Sequence, residues 1–301
     1  MDRLSIFFSH FTLSARIFLA GRLCGTSSDH ATETAGHLHL LRRGRLTVFE
    51  AGEPPVEVEG PCVLLYIRPG EHIFRSDGAD IVCAFVEFGA GMLNPLASAL
   101  PKRLIIPLVA DSSLAPIAEC LFAEAFGKKD GRQVAVDRLA EYFLVLLLRF
   151  AIDTHAMQGG ILTALADHQL SRVLAAFHRA PERAWTLEEL AHVGGMSRAR
   201  FSAHFLCIVG QTPFEYLTCW RIGVAQSLLK RGEPLKMVAP AVGYSSVGAL
   251  TRTFTQIVGK PPMSWLAAQT PKDIGKSVYN PVATKNETAC EDLGTESDCS
   301  L

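Results

Sequence analysis

Three histidines, His37, His39 and His72, are the first residues whose type and spacing suggest chemistry. Imidazole is the commonest metal ligand among side chains, so a His-x-His pair with a later histidine invites a metal reading. Arg42 and Arg43 follow almost at once, and two nearby cations oppose the binding of a third. The expectation is therefore no metal, with the three histidines as weak candidates and a lining or loop role for His72. The eight cysteines include no CxxC pair and no CxxC…HxxxH spacing, which argues against a structural zinc site. Cys24 lies at a turn after a strand and Cys83 lies within IVCAFVEF, Ile81 to Phe88. If those segments pair, an oxidant could carry the thiols through sulfenic acid to a disulfide; the alternative is cysteine as a small buried hydrophobe. Cys62, Cys120, Cys207 and Cys219 read as core or helix-packing residues. No Ser/His/Asp or Cys/His nucleophile pair has convincing spacing and no GxxxxGK[ST] loop is present, so the chain does not read as an enzyme.

Charge points to a different kind of partner. The 301 residues, 49% hydrophobic and 20% charged, carry a formal net charge of -1. That total divides into -3 over residues 1–164, +5 over 165–270 and -3 over 271–301. A basic block between two acidic ones directs attention to a polyanion meeting only the third quarter of the chain, because local fields steer association. No signal peptide and no membrane span are read: the apolar run Tyr142 to Ile152 is broken by Arg149 and is too short for about 30 Å of hydrocarbon. A cytoplasmic protein with reduced thiols is expected.

The elements that must hold these residues fall into two textures. From Leu19 to Phe88, short alternating stretches are punctuated by Gly, Pro and Asp; Arg45–Glu50, Val63–Ile67 and Ile81–Phe88 are the best strands, and a small antiparallel barrel or sandwich follows. Leu114–Phe126 and Val134–Ile152 carry helical spacing. The second is apolar nearly all round and must be buried, either on its own barrel or on a second copy of the chain. Leu144, Leu147 and Leu148 are its dimer-contact candidates. Residues 155–160 read as a linker. Beyond them seven helical segments run near 161–179, 187–193, 198–209, 213–230, 235–242, 247–258 and 261–268, and the polar stretch 270–301 is expected to be disordered.

Within the helical part, Thr186 and Glu189 form a capping box, Gly194-Gly195 ends the helix, and Ser197 caps the next one. Two short helices joined by a glycine turn make a helix-turn-helix. The unit recurs: Leu235–Val242, the turn Gly243-Tyr244-Ser245, then a helix capped by Ser246. Pro213–Leu229 lies between as a long amphipathic helix.

These pieces, WTLEELAHVGGMSRARFSAHFLCIVGQTPFEYLTCWRIGVAQSLL (Trp185–Leu229) and VGYSSVGALTRTFTQIVGKPPMSWL (Val242–Leu266), resemble the AraC-type transcriptional regulators. Upstream, GRLCG, HLHLLRRGRL, the PGEH turn and the Leu-rich helix resemble the subgroup with a cupin-like N-terminal domain. The resemblance covers about residues 16–268. It implies an α+β multidomain chain: a cupin-like β-barrel with helices over 1–154, a linker at 155–160, an all-α domain with two helix-turn-helix units over 161–269, and a tail.

By the same resemblance each second helix enters the major groove of double-stranded DNA. The positions facing bases are then Arg198, Ala199, Ser202 and Ala203 in the first unit and Val247, Gly248, Thr251 and Arg252 in the second. Arg198 and Arg252 could each reach a guanine edge, while Arg200, Lys236 and Lys260 suit phosphates or, for Arg200 and Lys260, plain solvent exposure. The resemblance further implies RNA polymerase as a partner, activation rather than repression, and an N-terminal domain that senses a small effector or an oxidant, with cysteine common in the subgroup at the positions of Cys24 and Cys83. No cofactor is expected. The alternative is a cupin-like metalloenzyme fused to a DNA-binding module, but cupin enzymes carry a glutamate shortly after the His-x-His pair, and Leu40 to Gly44 lack one.

Pro240 and Gly248 are departures that weaken the second unit. Proline inside a helix removes a donor and crowds the carbonyl of Lys236, at about 3 kcal/mol in a helix interior. Replacing Pro240 by Glu should raise the thermal midpoint; an unchanged or lowered midpoint in a calorimetric melt would count against that strain.

Overall fold

The computed structural model describes residues 5–29, 35–109, 113–153 and 160–268. Seven strands form one antiparallel sheet: β1 (Leu13–Asp29), β2 (Gly36–Arg43), β3 (Arg45–Glu50), β4 (Val56–Glu59), β5 (Cys62–Tyr66), β6 (His72–Phe88) and β7 (Arg103–Pro107). The order is β4-β3-β6-β2-β5-β7, with β1 also on β6. The 17 residues of β6 make this possible. Its start, His72 to Arg75, pairs with β3, its second half pairs with β2, and β1 runs along its other side, so the sheet curls into a half-barrel. β3, β5 and the second half of β6 match the strands singled out from the sequence, whereas β1, β2, β4, β7 and the start of β6 were not singled out there.

The curl is fixed by burial on both faces. In β2 every residue from Gly36 to Leu41 is buried. Strand side chains alternate, so His37, His39 and Leu41 share one face with Cys83, Leu64 and Tyr66, and Leu38 and Leu40 share the other with Val63, Val82 and Ala84. After a short α2 (Pro95–Ala99), the second face is covered by α3 (Ala115–Ala125) and α4 (Arg132–Asp153). At the irregularity between Ile17 and Leu19, where β1 slips against β6, α4 satisfies the freed backbone: Asp137 Oδ1 accepts the Ile17 N–H at 2.7 Å and Gln133 Nε2 donates to the Ile17 carbonyl at 3.0 Å.

The two fates open to the Leu-rich helix are thereby resolved for its leucines. Leu144, Leu147 and Leu148 are 0%, 1% and 1% exposed within one chain, packed with Phe143 and Leu121 beneath the sheet, so they are not dimer contacts. The exposed stripe of α4 carries Val134, Arg138 and Tyr142 instead.

The helical part follows the expected segments with one difference. Residues 161–179 form two helices, α5 (Gly160–Ala166) and α6 (His168–Arg179), because Asp167 leaves helical geometry and caps α6 through the N–H groups of Gln169 and Leu170. The remaining helices are α7 (Leu187–Gly194), α8 (Arg198–Val209), α9 (Pro213–Lys230), α10 (Leu235–Ala241), α11 (Val247–Val258) and α12 (Pro262–Ala268). Residues 155–159 of the expected linker and the tail 270–301 lie outside the described residues.

A short first helix, α1 (Ser5–His10), ties the halves together. Phe7 and Phe11 meet the Trp220 ring edge-on at 5.3 and 5.0 Å, and Trp220 stacks on His178 at 3.8 Å. His10 Nε2 hydrogen-bonds the His178 carbonyl at 3.1 Å. Phe11 lies so close to α9 that a Cβ at Gly223 would sit 3.1 Å from its ring. His178, fully buried beside Tyr216, is held well below the usual histidine range by desolvation and then by the charge of His10. His10 is itself lowered by burial, despite its bond to the His178 carbonyl.

Two outcomes follow from this packing. Leu147→Ala should destabilise the monomer by about 2–5 kcal/mol in urea titrations, the range for a buried leucine; a loss under about 0.5 kcal/mol would mean the helix is not packed as described. For His178 the unfolded chain binds the proton more readily than the folded one, so its stability contribution is complete above about pH 6.5 and is lost as pH falls below that value. Urea midpoints should drop between about pH 7.5 and about pH 5.5, and His178→Phe should flatten the slope; an unchanged slope in that variant would assign the effect elsewhere.

Candidate functional site

The first helix-turn-helix is built from local signals. Thr186 Oγ1 accepts the Glu189 N–H, and Glu189 Oε2 accepts the Thr186 N–H at 2.8 Å, which closes the capping box that starts α7. Those hydrogen bonds, with Arg183 beside it, hold the Glu189 carboxyl below its ordinary range. Gly195 ends α7 at φ 67°, a left-handed conformation that a side chain would oppose. Ser197 Oγ then accepts the Arg200 N–H and starts α8. In the second unit Gly243 turns the chain at φ 80°, and Ser246 Oγ accepts the Ala249 N–H at 3.1 Å to start α11. Thr212 and Glu215 repeat the capping box on α9, the helix between them.

The expected outward residues are outward. Phe201 and Phe205 of α8 and Leu250 and Phe254 of α11 are fully buried. Arg198, Ala199, Arg200 and Ala203 are exposed with Ser202 half-buried, and in the second unit Gly248 and Arg252 are exposed, Val247 is 38% exposed and Thr251 is half-buried. Lys236 and Lys260 are exposed. Arg252 Nη1 lies 3.7 Å from where a Gly248 side chain would begin. The bare glycine therefore leaves Arg252 room to reach over the start of the helix. Pro240 sits in the last turn of α10 and faces solvent, while the Val242 N–H still reaches the Val238 carbonyl at 3.1 Å, so the helix ends soon after the break.

Three supports were not read from the sequence. Asp167, besides capping α6, accepts from His204 Nε2 of α8 at 2.9 Å. Burial pushes its carboxyl up, and the Leu170 N–H, His204 and the Gln169 N–H outweigh that and hold it low. Gln169 Nε2 donates to the Gly194 carbonyl at 3.1 Å, pinning the first turn. Arg221 of α9 donates to the carbonyls of Pro181 at 2.6 Å and Arg183 at 2.9 Å, and a Cβ at Gly243 would fall 2.8 Å from its guanidinium. Half-buried in that packing, Arg221 is a structural cation under the second turn. An aspartate inside a helical pattern was the one readable sign among these.

A second constellation lies in the half-barrel. His37, His39 and His72 are buried and their ligating nitrogens lie within 4.8 Å of one another. Ring centroids are 5.8 Å (His37–His39), 5.1 Å (His37–His72) and 4.9 Å (His39–His72), and His39 Nε2 and His72 Nε2 share a hydrogen bond at 2.8 Å. Tyr66 stacks on His72 at 4.2 Å and donates to Glu50 Oε1 at 3.2 Å. Burial opposes ionisation of Glu50, but Lys102 at 3.0 Å and Arg103 outweigh it, so the carboxyl stays below its ordinary range. His72 is thus a lining residue, as expected, and it belongs to a cluster.

The thiols do not converge. β1 and β6 pair, as the disulfide idea required, but Cys24 stands opposite Asp77 and Cys83 opposite Leu19. The two are therefore six residues apart along β6, about 20 Å at about 3.3 Å per residue, whereas a disulfide needs Cα atoms within about 7 Å. A bond between them within this fold is excluded. Cys24 is exposed and Cys83 buried; Cys62 is buried and its thiol is pushed up to about 12 by burial. Cys120 and Cys207 are exposed, contrary to a core role.

Comparison with known proteins agrees with this geometry. Residues 2–153 match the cupin family and residues 190–268 match a helix-turn-helix domain family. An AraC-like transcription regulator of Streptomyces lividans is 30% identical over 75% of this chain and 76% of its own length. The RCS-specific HTH-type transcriptional activator RclR of Escherichia coli is 30% identical over 76% of this chain and 84% of its own. ToxT of Vibrio cholerae O395 superposes on 87% of this chain and 99% of its own, with a TM-score of 0.40 at 13% identity. No helix among the described residues is long and apolar enough to cross a membrane. The chain belongs to the AraC-type transcriptional regulators.

Proposed function

We propose that this regulator is a sequence-specific activator that binds double-stranded DNA through α8 and α11, contacts RNA polymerase from that position, and takes an effector through its half-barrel; it acts by binding and carries no catalytic activity. The observation that carries the reading is the pair of Ser-capped recognition helices, with Arg198 exposed on the first turn of α8 and Arg252 exposed on the second turn of α11. An arginine there can make two hydrogen bonds to a guanine edge, while the capped N-termini and Arg200, Lys236 and Lys260 suit phosphates. Ala199, Ala203 and Gly248 present little side chain, which leaves methyl contacts and DNA shape to complete the readout. We place the domain boundaries at 154/155 and 160/161.

Activation is supported by RclR, which is named a transcriptional activator. If an oxidant is the signal, access puts its first step at the exposed Cys24, with Cys83 protected by burial. A second copy on paired half-sites would meet this one through the exposed stripe of α4 at Val134, Arg138 and Tyr142.

Fluorescence anisotropy on the DNA flanking the protein's own gene, across a salt series, tests the reading. Arg198→Ala and Arg252→Ala should each cost about 1–3 kcal/mol at the specific site and little on random DNA. Arg200→Ala should weaken both and shallow the salt slope by about 0.9 per lost phosphate contact. Equal losses on both DNAs for Arg198 and Arg252 would overturn their role as base readers, and no preference over random DNA would overturn specific binding.

A further inference from the structure

We propose that the cavity between β1 and the turn from α3 to α4 is a binding site for a small phosphorylated molecule carrying an aromatic ring, the chemistry of a nucleotide. It lies on the helix-covered side of the sheet, opposite the histidine cluster. The proposal deepens the effector reading and rests on it only for the ligand's regulatory role, since the site itself stands on shape and charge. Ala20 of β1, Ala125 and Phe126 at the end of α3, Lys128 and Lys129 of the turn and Arg132 at the start of α4 line the cavity. Its volume is about 440 Å³, within the range of about 300–1,000 Å³ that small-molecule sites occupy.

The turn that carries the lysines is fixed by its own backbone: the Gly127 N–H reaches the Glu124 carbonyl at 3.1 Å, and the Arg132 N–H reaches the Lys129 carbonyl at 3.2 Å. Arg132 is half-buried and donates through Nη1 to the Ala125 carbonyl, which anchors one corner of a guanidinium that has five N–H donors. Charge then decides the class of ligand. None of the three cations forms an ion pair among the described residues, and the carboxylates of Glu124 and Asp130 do not line the cavity. A monocarboxylate would leave two of the three charges unmet. A phosphate group carries about −1.5 to −2 and three acceptor oxygens, and Arg and Lys are the side chains that hold such groups. The cations beside the histidine cluster are not free in this way, because Lys102 and Arg103 are both held by Glu50.

Phe126 supplies the other half of the recognition. Its ring packs near that of Phe122 at 6.4 Å, yet the residue is 38% exposed and presents aromatic surface beside the cations. A base stacked there removes apolar area of both rings from water. Position ties the site to the rest of the chain. Gln133 and Asp137, which follow Arg132 on α4, hold the irregularity of β1 at Ile17. β1 in turn follows directly on α1, whose Phe7 and Phe11 close the core around Trp220. A ligand wedged between β1 and the α3–α4 turn therefore bears on the strand that leads to the helical half.

The test titrates the full-length protein with adenosine diphosphate, inorganic pyrophosphate and adenosine by calorimetry. Adenosine diphosphate should bind one per chain, pyrophosphate more weakly, and adenosine not measurably. Lys129→Gln and Arg132→Gln should each weaken adenosine diphosphate about tenfold or more, as the loss of a charge-assisted hydrogen bond implies. Phe126→Ala should bring it down to the level of pyrophosphate. Circular dichroism checks the fold of each variant, and the exposed Lys129 keeps the test decisive should Arg132→Gln fail to fold. No binding of adenosine diphosphate at millimolar concentration, or equal binding in parent and Lys129→Gln, overturns the site. Binding lost in Arg198→Ala instead also overturns it, by placing the nucleotide on the DNA-binding face. DNA anisotropy on the same samples separates the two readings: nucleotide bound without DNA specificity defeats the regulator and leaves the site, and specific DNA binding in a chain that takes no nucleotide defeats the site alone.

Discussion

The burial of β2 on both faces is the constraint from which most of this molecule follows. A strand covered on one side only would set its polar residues toward water. Here the alternation leaves His37 and His39 no solvent to turn to, so they must be satisfied by one another, by His72 and by the rings around them. The opposite face demands an apolar cover, and α4 supplies it with Phe143, Leu144, Leu147 and Leu148. One eight-residue strand thus sets both the interior of the half-barrel and the fate of the longest described helix.

The DNA-binding part obeys a different economy, in which local hydrogen bonds do the shaping. Its turns are set by glycines at positive φ, and each recognition helix is started by a serine. The polar residues behind those helices are committed: Asp167 to His204, Gln169 to the first turn, Arg221 to the second. The arginines left on the outer surface are the ones with no structural task of comparable weight. Arg200 makes a contact of 3.5 Å with Gln169, too long to hold it, while Arg198 stands exposed at the start of α8 and Arg252 stands exposed on the second turn of α11.

Much of this was legible in the residues. Capping signals act within one turn of the chain, so Thr186, Ser197 and Ser246 announced their helices correctly. The buried sides of α8 and α11 followed from helical period, and the resemblance picked out the outward positions that face DNA. Legibility failed where the deciding partner is distant in sequence. Nothing near Arg42 says that Glu119 takes its charge, and nothing near Leu147 says which of two apolar partners covers it. The Cys24 and Cys83 pairing failed by register rather than by topology: the strands do meet, and only the ladder shows how far apart the thiols fall along it. The split at Asp167 was readable and was missed, because the apolar pattern on either side of it continues in phase.

The aromatic contact between α1 and α9 also bears on how such proteins diversify. Phe7, Phe11 and His10 belong to the segment that precedes the half-barrel, yet they complete the core around Trp220 and His178 of the helical half. Exchange of modules by recombination near residue 155 would strand the indole of Trp220 without its lid, or pair it with whatever the new donor's first helix brings. The lineage of this half-barrel is therefore tied to that of the helical half through a few residues at the far end of the chain, and the two are constrained to change together.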